Sequence, residues 1–378
     1  MAKIKLYQTI ISEMARQIRR GALSPGDRIP SERELCEQFG VSRITVSTAL
    51  RQLERTGMLV RIKQKGVVVS GAEQRELSAH KGGIAAIAVV LPFDEEYGLD
   101  ILRGVEEVCS ARGYYMTYHN TRYDAALEKE IIRNLKQDSF NSGAIIYPVS
   151  GTKNIDSYGE LLIDRFPFLL LDRSVEGLSL PFVGCDNYGA AYMLTSHLLE
   201  LGHRTIGFVC TSLNEVASIE ERYRGYCKAL MDAKVIPQPE WLLEDHAYRI
   251  KDADEQERYE INKARLERIC GLPAPPTAIV AVNDETAIFL IRAAAEAGIQ
   301  VPEQLSIVGF DNLKAGELLD VPLTTVRQDF EGMGASAAEA LIADIEKGNS
   351  PGGSGALIME TKVLVRKSST VPCSPIMI

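Results

Sequence analysis

The feature that most constrains this fold is a series of short apolar runs, separated by helical patterns, that begins at Ile84. Runs such as IAAIAVVL, GAIIY and TAIVAV show little polar alternation, which is typical of parallel strands covered on both faces. Strands that alternate with helices predict a doubly wound α/β fold, and the chain is long enough for two such subdomains. The predicted strands are 84–91, 114–119, 142–147, 167–172, 205–210, 277–282 and 305–309, and the predicted helices include 99–112, 124–138, 187–201, 218–233, 284–298 and 331–346.

The first 70 residues, named the head here, follow a different pattern. The spacing of apolar residues predicts a helix over 4–21, and the capping box Ser31–Glu34 starts a second, short helix. Ser42 caps a third helix over 43–56. Three helices and a terminal hairpin predict a winged helix-turn-helix, in which the third helix can enter a major groove of DNA. The hairpin is predicted from two strand candidates, Leu59–Ile62 and Val67–Ser70.

Charge is distributed unevenly along the chain. The net charge is −9, but residues 1–70 contain 13 Lys+Arg against 6 Asp+Glu, a balance of +7, and the remainder has a balance of −16. This asymmetry indicates a basic nucleic-acid-binding module attached to an acidic domain. Residues 71–83 are polar and flanked by glycine, which predicts a linker. The predicted domains are therefore 1–70, the linker 71–83, and 84–378.

The head resembles the GntR family of bacterial regulators. The matching segments are LSPGDRIPSEREL at 23–35 and FGVSRITVS at 39–47. The resemblance implies DNA binding and gives Arg33, on the second helix, the role of a contact to the DNA backbone. Two departures concern the base sequence that is read: Ser47 stands where many members carry Arg, and Val-Val-Val at 67–69 replaces Thr-Phe-Val.

Several residues of the third helix and the wing are chemically suited to DNA. Arg43 and Ser47 lie one turn apart, opposite the apolar stripe, and Arg43 can contact guanine or phosphate. Ser42 and Thr45 lie in the first turn, where hydroxyls and free N–H groups meet phosphate. A surface ion pair for Arg43, or ordinary helix-surface positions for Thr45 and Ser47, are the open alternatives. The predicted wing-tip contacts, at the minor groove, are Lys65 and Gly66.

From about residue 84 to 367 the chain resembles the LacI-type repressors and the periplasmic sugar-binding proteins, and its combination with the head is similar to the arabinose repressor subgroup. By residue match, the resemblance implies that Asp172, Arg222 and Asp284 contact a ligand. It also implies a periplasmic-binding-protein-like domain of two doubly wound α/β subdomains. The matching segments are LDR at 171–173, LGHRTIG at 201–207, RYRGY at 222–226, AVND at 281–284, VP at 301–302, SIVGFD at 306–311 and LTTVRQ at 323–328.

The chemistry of these residues agrees with a polyhydroxyl ligand. Ligands of open α/β sheets bind beyond the carboxyl ends of the strands, where Asp172 and Asp284 can accept hydrogen bonds and Arg222 can donate two. Asp284 has the alternative of capping the following helix, and for Asp311 capping or hinge bonding is as good an interpretation as ligand contact. Predicted aromatic walls of the cleft, with core packing as the alternative, are Phe93, Tyr147 and His246.

These features predict a homodimeric transcriptional repressor that binds double-stranded operator DNA at a palindrome. A small sugar is expected to close the cleft and release the DNA through 71–83. A purine or other polar metabolite as effector, or a corepressor, are the open alternatives. An enzyme is disfavoured, because the chain has no serine nucleophile elbow between a predicted strand and helix, no P-loop, and no G-x-G-x-x-G after the first strand.

The composition excludes several other classes. None of the seven cysteines forms a C-x-x-C pair, so reduced thiols are expected, with no disulfide framework, metal or cofactor. The longest apolar runs have the length of strands, far below the roughly 20 residues that span a bilayer. The first residues, MAKIKLYQTI, lack the apolar core of a signal peptide, so a cytoplasmic protein is expected.

Overall fold

The computed structural model comprises the head and two α/β subdomains with the segments that join them. It describes residues 6–55, 58–62, 66–70, 85–92, 96–138, 140–211, 213, 216–244, 254–348 and 355–372. The linker predicted at 71–83 lies outside these residues, so the domain boundaries stay predictions.

The head has the predicted order of three helices followed by a hairpin. The Ser31 hydroxyl accepts a hydrogen bond from the Glu34 N–H, and the Glu34 carboxylate accepts one from the Ser31 N–H, so the capping box starts the second helix. That helix ends at Gly40, whose φ of 63° is a conformation that glycine adopts without strain. The elements are α1 (Leu6–Arg19), α2 (Glu32–Phe39), α3 (Arg43–Arg55), β1 (Leu59–Ile62) and β2 (Gly66–Val69).

One small apolar core holds these elements together. Leu35 of α2, Val46 of α3 and Val69 of β2 are buried in it, so the second and third helices and the hairpin depend on the same contacts. Backbone hydrogen bonds of 2.8 to 3.2 Å also pair residues 26–29 with β2. The third helix is therefore fixed against a wing of three extended segments.

The first α/β unit, named the N-subdomain here, is a parallel sheet with helices on both faces. Its strand order is β13-β7-β6-β5-β3-β4, and every residue of β3 is buried, as its unbroken apolar run predicts. Its elements are β3 (Ala86–Leu91), α4 (Glu96–Ala111), β4 (Tyr115–Asn120), α5 (Ala125–Leu135), β5 (Asn141–Ile146), α6 (Ile155–Ile163), β6 (Phe168–Leu171), β7 (Phe182–Cys185), α12 (Phe330–Lys347) and β13 (Ala356–Met359).

The second unit, named the C-subdomain here, repeats this architecture with the strand order β14-β12-β11-β10-β8-β9. All its strand pairs are parallel except β12 with β14. Its elements are α7 (Asn187–Glu200), β8 (Ile206–Cys210), α8 (Ala217–Asp232), β9 (Leu242–Glu244), α9 (Glu255–Cys270), β10 (Ala278–Ala281), α10 (Asp284–Glu296), β11 (Ser306–Asp311), α11 (Lys314–Glu317), β12 (Thr324–Arg327) and β14 (Lys362–Leu364).

The chain crosses between the two subdomains three times. It leaves the N-subdomain after β7, returns between β12 and α12, and leaves again between β13 and β14. These joining segments, named the crossings here, place the carboxyl ends of both sets of parallel strands on either side of one cleft. A pair of open sheets arranged in this way binds ligands between them.

All seven predicted strands are present, but the pattern did not reveal five others. The missed strands have three or four residues each, which is too short for an apolar run to indicate a strand, even in β13, where all four residues are apolar. The missed helices are α6, α9 and α11. In α9 charged residues interrupt the apolar spacing, which removes the helical signal. The missed strands are β7, β9, β12, β13 and β14.

Two expectations from composition can be compared with the structure. The six cysteines within the described residues are free thiols, and Cys109, Cys185, Cys210 and Cys270 are buried. Across the ranges that the structure describes, no helix is long and apolar enough to cross a membrane.

Candidate DNA-binding surface and effector cleft

The third helix presents its first turn to solvent. The Ser42 Oγ accepts a hydrogen bond from the Thr45 N–H at 3.3 Å, and the two hydroxyl oxygens lie 2.9 Å apart. The Arg43 side chain is 83% exposed, and its Nε donates to Glu32 at 3.0 Å. Because exposed ion pairs contribute little to stability, Arg43 can exchange Glu32 for a DNA acceptor at small cost.

The other residues predicted to contact DNA surround this turn. Arg33 is exposed and pairs with Glu37 at 3.4 Å. Ser47 is half-buried, one turn beyond Arg43. Gly66 begins β2 with φ of 83°, a conformation that favours glycine, and Lys65 lies outside the described residues. The roles of all these residues in DNA contact stay predictions.

Sequence reasoning missed Ile44, the second residue of the third helix. Its side chain is 78% exposed, between polar neighbours, although an isoleucine is usually buried. An apolar group at this position of a recognition helix is suited to the methyl group of thymine. The sequence alone indicates that Ile44 is exposed, because this residue does not lie on the apolar stripe that contains Val46 and Leu50.

Arg28, beside the wing, was also missed. Its backbone bridges to Val68, and its exposed guanidinium lies over Gly66, such that a Cβ placed on that glycine would be 3.5 Å from the Arg28 Nε. The side chain thus extends the basic surface from the third helix to the wing. Only the folded structure brings Arg28 and Gly66 together, because 37 residues of sequence lie between them.

On the N-subdomain side of the cleft, Asp172 directly follows the end of β6. This carboxylate is 6% exposed, and its Oδ2 accepts a hydrogen bond from the Tyr147 hydroxyl at 2.5 Å. Its Oδ1 is buried and has no hydrogen-bond partner in the structure. Since a buried acceptor without a donor costs about 1–3 kcal/mol, a ligand hydroxyl that donates to Oδ1 would be strongly favoured.

Arg173 places an unpaired donor beside this unpaired acceptor. Its guanidinium lies 4.9 Å from the centre of the Tyr147 ring, and Nη1 donates to the Val149 carbonyl at 3.1 Å. The Arg173 Nε is buried and has no partner in the structure. A hydroxyl group both donates and accepts, so this edge of the N-subdomain suits a ligand with hydroxyl groups.

On the C-subdomain side, Arg222 of α8 is fixed in place by its neighbours. Its Nε donates to Asn187 at 2.8 Å, its Nη1 donates to the Val282 carbonyl at 2.7 Å, and its guanidinium lies 3.6 Å from the centre of the Phe310 ring. The remaining Nη2 lies 3.7 Å from Asp311 Oδ1. The guanidinium is therefore aimed at Asp311 before any ligand arrives.

Asp311 joins Arg222 at the end of β11, although sequence reasoning left its role undecided. Gln328 Nε2 donates to its Oδ1 at 2.7 Å. Burial raises the pKa of Asp311 to about 6, Arg222 opposes this rise, and the charge of Asp172 adds to it. The charge of Asp172 therefore acts on Asp311, and we expect both carboxylates to face the same cleft.

Asp284 has a different environment from the other two aspartates. Its Oδ1 accepts from the Thr325 hydroxyl at 2.5 Å and its Oδ2 accepts from the Leu313 N–H at 2.7 Å, both within the C-subdomain. Burial raises the pKa of this carboxyl to about 8. The cap of α10 is Asn283, which accepts from the Thr286 N–H at 2.9 Å. Asp284 thus holds β12 and the start of α11 in place, and its contact with a ligand stays a prediction.

Two of the predicted aromatic walls, Phe93 and His246, lie outside the described residues. The third, Tyr147, is 6% exposed, packs in the apolar core of the N-subdomain and donates its hydroxyl to Asp172, so its contact with a ligand stays a prediction. Within the described ranges, no group of three or more His, Cys, Asp or Glu side chains could hold a metal ion.

Comparison with known proteins supports both halves of this arrangement. Residues 6–69 match the model for bacterial regulatory proteins of the gntR family. Residues 195–369 match the model for a periplasmic binding protein-like domain. The two matches fall on the head and on the part of the chain that includes most of the C-subdomain.

Relatives align over almost the whole chain. The arabinose metabolism transcriptional repressor of Geobacillus stearothermophilus is 33% identical over 370 residues, which cover 96% of this chain and 97% of that protein. A protein of the same description from Halalkalibacterium halodurans is 30% identical over 370 residues, 96% of each chain. Among solved structures, a LacI transcriptional regulator from Bacillus cereus subsp. cytotoxis matches with a TM-score of 0.66 and 24% identity, over 78% of this chain and 100% of that one. This last likeness shows the fold.

Proposed function

Because the chain belongs to the gntR-family transcriptional repressors that carry a periplasmic binding protein-like domain, we propose that a small sugar in the cleft controls its binding to operator DNA. The chain is a DNA-binding regulator and not an enzyme. The sugar acts as an inducer, so that cleft closure releases the operator. A protein that binds operator DNA is expected in the cytoplasm.

The unpaired Oδ1 of Asp172 is the observation that carries the sugar proposal. A neutral polyol supplies the hydroxyl donor that this oxygen needs and the acceptor that the neighbouring Arg173 Nε needs. Across the cleft, Arg222 and Asp311 offer a second donor and acceptor. The two carboxylates and two guanidinium groups balance in charge, which favours a neutral ligand over an anion. L-arabinose is the first candidate, because both relatives named above are described as arabinose metabolism repressors.

We further propose that the repressor acts as a homodimer, because helix-turn-helix dimers match the two-fold symmetry of palindromic operators. A surface suited to the second copy lies on the N-subdomain, at the edge strand β4 and the neighbouring helix α4. On the edge strand, Tyr115 is 63% exposed on one face of the sheet and Tyr118 37% on the other, and Leu99 of α4 is 49% exposed. Burial of these side chains against their counterparts would cover the sheet edge.

The experiment that tests the sugar proposal combines thermal stability with DNA release. A DNA duplex that the purified full chain binds is first selected from random sequences. L-arabinose or one of its stereoisomers is then added in increasing concentration, and release of the duplex is measured. A ligand at about 100 times its Kd stabilises the protein by roughly 2.7 kcal/mol. If no pentose, hexose or glycoside changes either the melting temperature or operator affinity, the sugar proposal is wrong.

Asp172→Asn tests the residue that carries the proposal. We expect a roughly 10- to 100-fold loss of sugar affinity, because a hydrogen bond to a charged group is worth about 1.5–3 kcal/mol. Operator binding without sugar stays as in the wild type. The matched control is Asp156→Asn, which removes an exposed carboxylate of the same subdomain that pairs with Lys129. Equal sugar affinity in both variants would contradict a ligand contact at Asp172.

A further inference from the structure

A chain of hydrogen bonds connects the cleft to the crossings between the subdomains. Asp311 accepts from Gln328 Nε2 at 2.7 Å, and Gln328 Oε1 accepts from the Cys185 thiol at 2.8 Å. Cys185 ends β7 and Gln328 directly follows β12, so they belong to two different crossings. The Gln328 amide therefore contacts the cleft carboxylate on one side and the neighbouring crossing on the other.

The neighbours of Gln328 fix the orientation of its amide. An ionised carboxylate only accepts, so the NH2 group faces Asp311 and the amide oxygen is left for the thiol of Cys185. Burial raises the pKa of this thiol, which keeps the proton on sulfur for donation. Gln328 is 6% exposed and Cys185 4%, so water cannot easily replace either bond.

A ligand would act on this chain at Asp311. Its carboxylate is 3.7 Å from Arg222, longer than a direct hydrogen bond, and a ligand hydroxyl that donates to Asp311 adds to or replaces the bond from Gln328. The backbone of Asp311 has φ of 115°, a conformation that persists only where the surroundings enforce it. The backbone therefore has little freedom to absorb a shift of the carboxylate, and the shift passes to the Gln328 amide.

We propose that Gln328 is a positioning residue that couples the occupation of Asp311 to the angle between the two subdomains. Hinge motions are absorbed by a few residues in the segments that join two bodies, and one amide ties two of those segments here. The coupling rests on the proposed function, since it requires a cleft ligand that alters operator binding. Without the amide, the cleft still binds its ligand, but ligand binding changes the operator affinity of the head less.

The test uses Gln328→Leu and Cys185→Ala in the full chain, with Cys109→Ala as the matched control. Cys109 is a buried thiol in the core of the N-subdomain, on α4. Two quantities are measured: the Kd for L-arabinose, and the ratio of operator affinities without and with saturating L-arabinose. We expect this ratio to fall about 5-fold or more in Gln328→Leu, within the range of typical coupling energies, while the sugar still binds. Cys185→Ala, which removes one bond, lowers the ratio less, and Cys109→Ala leaves it unchanged.

A second measurement needs no sugar. Alkylation of Cys185, followed by peptide mass spectrometry, is expected to be faster in Gln328→Leu than in the wild type, because the thiol has lost its acceptor. Equal alkylation rates, or a lower sugar affinity with an unchanged ratio, would overturn the proposal. If Gln328→Leu does not fold, the ratio of operator affinities in Cys185→Ala replaces it: a lower ratio supports the coupling and an unchanged ratio contradicts it. A wild-type protein in which no pentose, hexose or glycoside changes operator affinity contradicts the proposed sugar function, and alkylation still tests the hydrogen bond between Gln328 and Cys185.

Discussion

Single residues at strand ends define the cleft, and two of them adopt a backbone conformation that L-amino acids rarely adopt. Asp172 has φ of 60° and Asp311 has φ of 115°. Each such residue costs of the order of 1–3 kcal/mol, and strain of this kind is concentrated at functional sites. At Asp172 the Arg173 N–H donates back to the Leu171 carbonyl at 2.6 Å, which forms a tight three-residue turn. The strain turns each carboxylate toward the cleft.

Ile44 is the residue of the third helix with the sharpest prediction. Ile44→Ser should weaken operator binding about tenfold, because burial of an isoleucine side chain is worth roughly 1.5–3 kcal/mol and only part of it is covered by a thymine methyl group. Binding to unrelated DNA, which depends on phosphate contacts, stays the same. Fluorescence anisotropy with both duplexes measures the two affinities. The control is Ile163→Ser on α6, where the isoleucine is 81% exposed. The thymine contact is wrong if both variants bind the operator equally well.

At the scale of elements, two histidines attach the segment after β14 to the C-subdomain. His203 Nε2 lies 2.8 Å from the Thr370 carbonyl, which can only accept, so the proton is on Nε2 and Nδ1 accepts from Thr277 at 2.8 Å. His197 Nε2 lies 3.0 Å from the Ser369 hydroxyl. Burial lowers the pKa of both histidines below the usual 6.5. Both therefore hold this segment in their neutral form.

This attachment predicts a loss of stability in acid. The native state takes up the proton of His203 at lower pH than the unfolded chain does, so the stabilisation is complete above about pH 6.5 and decreases as the pH falls below it. His197 has the same sign, and so has His119 in the N-subdomain. Urea unfolding between pH 8 and pH 5 measures the slope. His203→Gln is expected to be about 1 kcal/mol less stable at pH 8, from the lost hydrogen bonds, with a shallower slope. A slope equal to that of the wild type would show that His203 does not contribute.

At the scale of the whole molecule, two heads must meet one palindrome. We expect the double variant Tyr115→Asp and Tyr118→Asp to dissociate the dimer, because two charges at each edge strand would be buried without partners. Sedimentation equilibrium measures the mass of the particle. We expect the operator affinity to fall when the dimer dissociates. The control is Ile236→Asp, which changes a residue that is 76% exposed on the C-subdomain. If the double variant sediments as a dimer, the second copy binds elsewhere.

Local structure and the type of protein could be predicted from short stretches of sequence. The capping box at Ser31, the helical stripe of α3 and the unbroken apolar run of β3 depend on neighbours in sequence, so each could be read before folding. The same is true of Asp172 and Arg222 as candidate ligand residues, because both belong to short segments that resemble a known family. Short strands such as β12 and β13 were not readable, because their pairing depends on distant strands.

The role of each carboxylate depends instead on contacts between distant parts of the chain. Asp284 follows β10 and Asp311 ends β11, yet the first accepts hydrogen bonds from Thr325 and Leu313, while the second accepts from Gln328 and lies 3.7 Å from Arg222. The link from Asp311 through Gln328 to Cys185 joins residues up to 143 positions apart in sequence and depends on the meeting of two crossings. Hydrogen bonds and burial depend on distances between atoms that folding alone sets, and no local pattern records them.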